Sequence, residues 1–193
     1  MRTVPRWLSD STESMAWVFA REGFAQARMD ELAAAAGVPR ATLYYHFGGK
    51  DEVLAWLLRS TLADLKAMVA DAAAGAGDAR RRLTAVLRTQ VELMGRRPAA
   101  CRVLLANLDR AGQLPDIAAG VVEAFHDPVA RLLGEGAVDG SLRRIKDPFR
   151  TAGVVFGAVT IAALQSLVLD PEFQPEAVTA AVLDVVFTGL GGC

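Results

Sequence analysis

The sequence predicts an all-α protein. Apolar residues recur at three- and four-residue spacing along its length, and glycine or proline clusters mark the joints between those stretches. No run alternates apolar and polar residues as a half-buried strand would, and no internal repeat or low-complexity tract interrupts the pattern. The chain has 193 residues, 52% of them hydrophobic, and a formal net charge of −1, enough to bury one sizeable core or two small ones and too apolar for disorder.

Taken in order, the first helix spans about 14–21, its start blurred by the polar run from Ser9 to Ser14. Helices over 29–36 and 39–47 follow, then a long connector from 51 to about 74 and a small-residue loop at 75–77. Asp78 has the side chain of an N-cap for a helix to about 96, and Pro98 opens another to about 110, broken at 112–115. A helix over about 116–133, bent near Pro128, leads to a loop over 134–147. Asp147 and Pro148 start an apolar helix to 169. After Asp170 and Pro171 a last helix covers 175–190, stopped by Gly191 and Gly192.

The segment from Met29 to Lys50 carries the most chemistry. Leu32, Ala33 and Ala36 share one side of the first short helix, and Gly37 supplies the left-handed conformation that stops it and reverses the chain. Pro39 suits the first turn of the next helix, which the pair Gly48 and Gly49 ends. On a helical wheel Leu43 and Phe47 share a face, Ala41 and Tyr45 lie opposite, and Thr42 and Tyr44 flank them. This is a helix-turn-helix, which lays its second helix in the major groove of DNA. Small residues on the free face let the backbone approach, while Tyr44 and Tyr45 offer hydroxyls to phosphates and rings to thymine methyls. The competing reading makes the tyrosines a surface or interface patch.

Phe19-Ala-Arg-Glu-Gly-Phe24, Leu32-Ala33, Ala36-Gly37-Val38, the run from Thr42 to Phe47, and Lys50 together resemble the signature of TetR-family transcriptional regulators. The resemblance covers the first quarter to third of the chain; the rest is similar only in its helical layout. It implies a homodimeric, ligand-responsive repressor with its reading head at the N-terminus. Thr42, Tyr44, Tyr45 and His46 would be the recognition-helix contacts and Lys50 a phosphate contact, with Arg40 a further candidate. Two departures stand out. The family's capping Thr or Ser aligns with Arg28, and its capping Ser before the recognition helix aligns with Pro39. Arg28 has no acceptor oxygen with which to cap a helix, although Asp30 and Glu31 complement the dipole, so Arg28 is assigned to a phosphate.

Residues 1–50 are thus expected to form the DNA-binding domain and 51–193 a ligand-sensing and dimerisation domain. The last two helices look like the family's dimerisation pair, with stripes at Phe156, Val159, Ala163 and Leu167 and at Val178, Val182, Val185, Val186 and Gly189. The alternative is that they close the subunit's own core. The sensor half offers apolar lining for an apolar or amphipathic effector, with Phe125, His126 and Phe156 as candidates and Asn107 and Thr160 as hydrogen-bonding partners.

Charge and composition set limits. Residues 1–59 hold seven Lys or Arg and seven Asp or Glu, so DNA binding rests on placement rather than bulk attraction. That neutrality sustains one alternative from another class, an all-helical dimeric small-molecule-binding or scaffold protein that no longer reads DNA. Cys101 and Cys193 make no disulfide framework, which fits a cytoplasmic setting, and Cys101 reads as a small core or half-buried thiol. Arg6, Asp10 and Glu13 interrupt any secretory signal. The uncharged stretch 151–169 approaches the length of a membrane span, but its polar residues and its alanine and glycine content favour a buried soluble helix, and no membrane partner is expected. His46 and His126 are the only histidines, with no metal-ligand spacing, phosphate loop or nucleophile elbow, so neither catalysis, metal nor cofactor is expected.

Overall fold

The computed structural model describes residues 5–107, 115–169 and 172–190, and every regular element among them is helical. The expected breaks at Gly112 and at Asp170 and Pro171, the stop at Gly191 and Gly192, and Cys193 lie outside the described residues. The chain forms two compact units, one from 1–62 with 97–117 and one from 63–96 with 118–193. The boundary expected at residue 50 falls inside the first unit.

The first unit opens with α1 (Arg6–Asp10) and α2 (Thr12–Gln26), so the chain becomes helical well before residue 14. The polar run that obscures this start ties the two helices together: the Thr12 hydroxyl donates to the Ser9 carbonyl at 2.8 Å and that of Ser14 to Ser11 at 3.0 Å. Met15, Ala16, Val18 and Phe19 form the buried side of α2. At Gly23 the backbone leaves helical geometry, with φ +74° and ψ 161°, a region that is essentially glycine's alone. After α3 (Met29–Ala35), α4 (Arg40–His46) and the start of α5 (Lys50–Ala73), the unit is completed by α7 (Pro98–Ala106), which packs on α2. Ala99, Ala100, Val103 and Leu104 are buried there. The Glu13 carboxylate of α2 accepts the backbone N–H groups of Ala99 at 2.7 Å and Ala100 at 3.2 Å, two of the donors that the start of α7 leaves open. Cys101, the next residue, is a buried thiol whose pKa is pushed up to about 12 by burial and by Glu13 against the opposing pull of Arg97.

In the second unit α6 (Ala79–Arg96) packs against α9 (Asp127–Asp139), α10 (Pro148–Leu169) and α11 (Pro175–Leu190). Asp78 caps α6 as expected, accepting the Arg81 N–H at 2.8 Å, and Asp147 caps α10 through the Arg150 N–H at 3.0 Å. The segment 134–147 is not all loop, because α9 runs on to Asp139 and ends at Gly140 in the left-handed conformation. Gly134 and Gly136 look like breakers, yet Gly136 serves packing: a Cβ there would lie 2.6 Å from Leu142, whose side chain folds back on the helix. Pro128 does distort its surroundings, since α8 (Pro115–Val121) passes through a π-helical turn, Val122–His126, before α9 begins. A wide turn accommodates a proline that has no N–H and whose ring crowds the carbonyl four residues back.

Helix α10 is long and apolar enough to cross a membrane, and 33% of its most apolar window is buried within the subunit. Val159 and Ala163 on it, and Val178, Val182 and Val186 on α11, face the subunit's own core. The stripes expected to meet a second subunit are therefore largely internal. A different row stays exposed on α10, Val154, Ile161 and Val168 at seven-residue spacing, and of the expected α11 stripe Val185 is exposed.

Candidate nucleic-acid interface

The turn between α3 and α4 forms as its residues dictate. Gly37 has φ +67°, the Gly37 N–H donates to Ala34 and the Val38 N–H to Ala33, each at 3.1 Å, closing α3. Pro39 (φ −57°, ψ 145°) stands just outside α4 as its N-cap rather than as its first residue. Its carbonyl accepts the Thr42 N–H at 2.9 Å. The far end stops at Phe47, whose extended backbone breaks the helix before either glycine is reached. At the start of α3, Glu31 accepts the Arg28 backbone N–H at 3.1 Å, half of a capping box whose other half an arginine cannot supply. Ser14 of α2 donates to the Ala35 carbonyl at 2.7 Å and anchors the end of α3.

The two faces of α4 separate as the wheel predicts. Leu43 and Phe47 are buried, Ala41 is exposed, Tyr45 is 71% exposed and Tyr44 43%, with Thr42 half-buried on the flank. Arg40 projects from the first turn of α4, bound to Asp30 of α3 at 2.9 Å, with its guanidinium 5.2 Å from the centre of the Tyr44 ring. The Tyr44 hydroxyl and Asp30 both hold the Arg40 pKa above its ordinary value. His46 lies edge-on to the rings of Trp7 at 5.5 Å and Tyr45 at 5.2 Å. Arg28 is exposed. Lys50 is already engaged: its ammonium donates to the Ala25 carbonyl at 2.7 Å and the Ala27 carbonyl at 3.2 Å, and sits 4.9 Å from the centre of the Phe24 ring.

The five expected effector contacts are divided between the two units. Asn107 belongs to the first unit, where it closes α7 and its amide donates to the Val103 carbonyl at 2.7 Å; it lines a cavity of about 470 Å³ with Phe19, Phe24 and Arg102. The other four lie in the second unit. Phe125 and His126, in the π-helical turn, meet Phe156 of α10 at 5.2 and 5.6 Å, and Phe149 adds a ring 5.6 Å from His126. Thr160, one turn beyond Phe156, accepts a 2.8 Å hydrogen bond from Gln90 of α6. Gln90 Oε1 and His126 Nε2 are buried without hydrogen-bond partners. Burial lowers the His126 pKa, against the opposing effect of Asp127. Gln90 escaped notice in the sequence because one glutamine on an amphipathic helix carries no signal of its burial. A separate open groove of about 750 Å³ runs between α10 and α11, past Gln165, Ser166, Leu169 and Ala181.

A short helix with a buried Leu43–Phe47 side and a free aromatic side, set by a tight glycine turn, defines the class as a helix-turn-helix DNA-binding regulator. Residues 16–56 match the family described as bacterial regulatory proteins, tetR family. The fold is shared with the fatty acid degradation regulator FadR of Bacillus halodurans, at 19% identity over 100% of both chains and a TM-score of 0.84. It is shared too with the ketosteroid transcriptional regulator KstR2 of Mycobacterium tuberculosis, at 20% identity over 99% of this chain and 98% of that one, TM-score 0.82. FadR of Bacillus subtilis, solved in complex with stearoyl-CoA, matches at 20% identity over 95% and 97%, TM-score 0.75. Comparison with curated protein sequences finds no match. Residues 16–56 thus match the DNA-binding segment of the TetR family, and the chain shares the fold of the regulators just named.

Proposed function

We propose that this regulator is a cytoplasmic repressor that binds an inverted-repeat operator as a homodimer and leaves it when an apolar or amphipathic small molecule occupies its second unit. The observation that carries the reading is the exposed face of α4, where Tyr45 stands clear of a fully buried Leu43. Thr42, Tyr44, Tyr45 and His46 would meet DNA through this helix, with Arg40 and Arg28 at its borders. Arg40 is held by Asp30 at the mouth of the turn, so it arrives preoriented but partly neutralised.

The reading head extends to about Lys50, and sensing and dimerisation belong to the chain from Asp51 onward. A four-helix bundle made from α10 and α11 of two subunits would cover the exposed row of Val154, Ile161, Val168 and Val185. An apolar effector is favoured by the aromatic cluster around Phe125, His126 and Phe156, and by the acyl-CoA found with one protein of the same fold. Such a molecule releases DNA only if it binds the DNA-incompetent arrangement more tightly.

Footprinting on the DNA flanking the gene tests the reading. Two related half-sites are expected, with specific binding exceeding nonspecific binding by about 10³ or more. Equal retention of random and flanking duplexes at moderate salt would refute it.

A further inference from the structure

We propose that Lys50 acts as a clasp which joins the entry and exit of the helix-turn-helix, and so serves DNA reading as a positioning residue rather than as a phosphate contact. The chain enters the motif through Ala25 to Arg28 and leaves it through Phe47 to Lys50. The Lys50 ammonium bridges these ends, donating to the Ala25 and Ala27 carbonyls and lying over the Phe24 ring. Two of its three donor hydrogens are spent there.

The entry segment needs such a hold. Gly23 has already broken α2, so beyond the single turn closed by the Ala27 N–H on the Gly23 carbonyl, the carbonyls of Ala25 and Ala27 depend on another donor. A lysine on the first turn of α5 supplies it, and the positive charge is favoured at that carbonyl-rich end. With both ends pinned, α3 and α4 present Tyr45 and Arg40 in one fixed pose. A specific site demands that pose, whereas nonspecific phosphate binding does not.

The inference rests on the DNA-reading function, and the tests separate the two. Amide hydrogen exchange over residues 27–31 of the free protein should quicken about tenfold in Lys50→Met and return toward wild type in Lys50→Arg. Unchanged exchange would overturn the clasp, whatever the protein does with DNA. On the duplex that wild-type protein enriches from a randomised library, Lys50→Met should lose about tenfold in specific affinity, with nonspecific affinity and salt slope unchanged. Lys50→Arg should recover most of that loss. A drop of about one unit in salt slope, with specific and nonspecific binding falling alike, would identify a phosphate contact instead. Phe24→Leu, which removes only the ring beneath the ammonium, should show the same pattern more weakly and serves if Lys50→Met does not fold. If wild-type protein enriches no sequence, the DNA-reading function fails while the exchange measurement still decides the clasp.

Discussion

Tyr45 reaches outward because Leu43 and Phe47 spend the opposite side of a seven-residue helix on the core. Replacing Tyr45 with Ala should therefore leave folding intact, relax base preference at one position in each half-site, and cost about 1–3 kcal/mol per half-site, read by titrating single-base variants of the operator. His126 is governed by a different balance. Burial holds its imidazole below the ordinary value, so the folded chain binds that proton less readily than the unfolded chain does. Stability then rises with pH, being complete above about pH 6.5 and eroding as the pH falls below it. Thermal unfolding followed between pH 7.5 and 5.5 should show this erosion, and His126→Gln should flatten it. Residues such as Gly37 and Pro39 were legible because their backbone limits act locally. The hydrogen bonds of Glu13, Lys50 and Gln90 were not, since each reaches a partner 25 or more positions away.

Among the elements, α7 shows how one side chain can start a helix that its own sequence leaves uncapped. Arg97 stands at its N-cap without an acceptor, and Glu13 of α2 supplies both oxygens. Glu13→Ala should cost about 1–2 kcal/mol, in the range of a lost cap and a charge-assisted hydrogen bond, measured as a lower denaturation midpoint with an unchanged slope. Helix existence was readable almost everywhere, because apolar spacing and N-cap residues such as Asp78 and Asp147 are local signals. The end of α9 was not. Gly136 is silent about whether it breaks a helix or makes room for a neighbour, and only the return of Leu142 decides. The apolar faces of α10 posed a similar problem. With hydrophobic residues on all sides, spacing alone cannot tell the inward row of Val155, Val159 and Ala163 from the outward row of Val154, Ile161 and Val168.

At the scale of the whole molecule, that outward row is an apolar stripe left uncovered among the described residues. Ile161 is 60% exposed and Val154 72%, so a charge at either disturbs little of the subunit's own packing. Ile161→Glu is expected to yield a folded monomer by sedimentation, with operator affinity reduced to that of one isolated head, because a paired site needs both reading helices at the spacing of successive major grooves. A dimer that persists with full affinity would move the subunit contact elsewhere. The overall all-helical plan was evident from periodicity, and the reading head from its turn and the family signature. The candidate effector cluster was legible in part: Phe125, His126, Phe156 and Thr160 were named from the sequence, whereas Gln90 enters only through its pairing with Thr160 across α6 and α10.

The membership of α7 in the first unit bears on how such regulators can be recombined. A head grafted onto a foreign sensor by a single cut near residue 50 or 62 would leave behind the helix that covers Met15, Ala16 and Phe19 and that Glu13 caps. The transplant would be an incomplete core with a bare apolar flank, prone to aggregate before it met any DNA. Two segments have to travel together, 1–62 and 97–117, and a chimera built with both should keep its operator preference while answering to the new sensor's ligand.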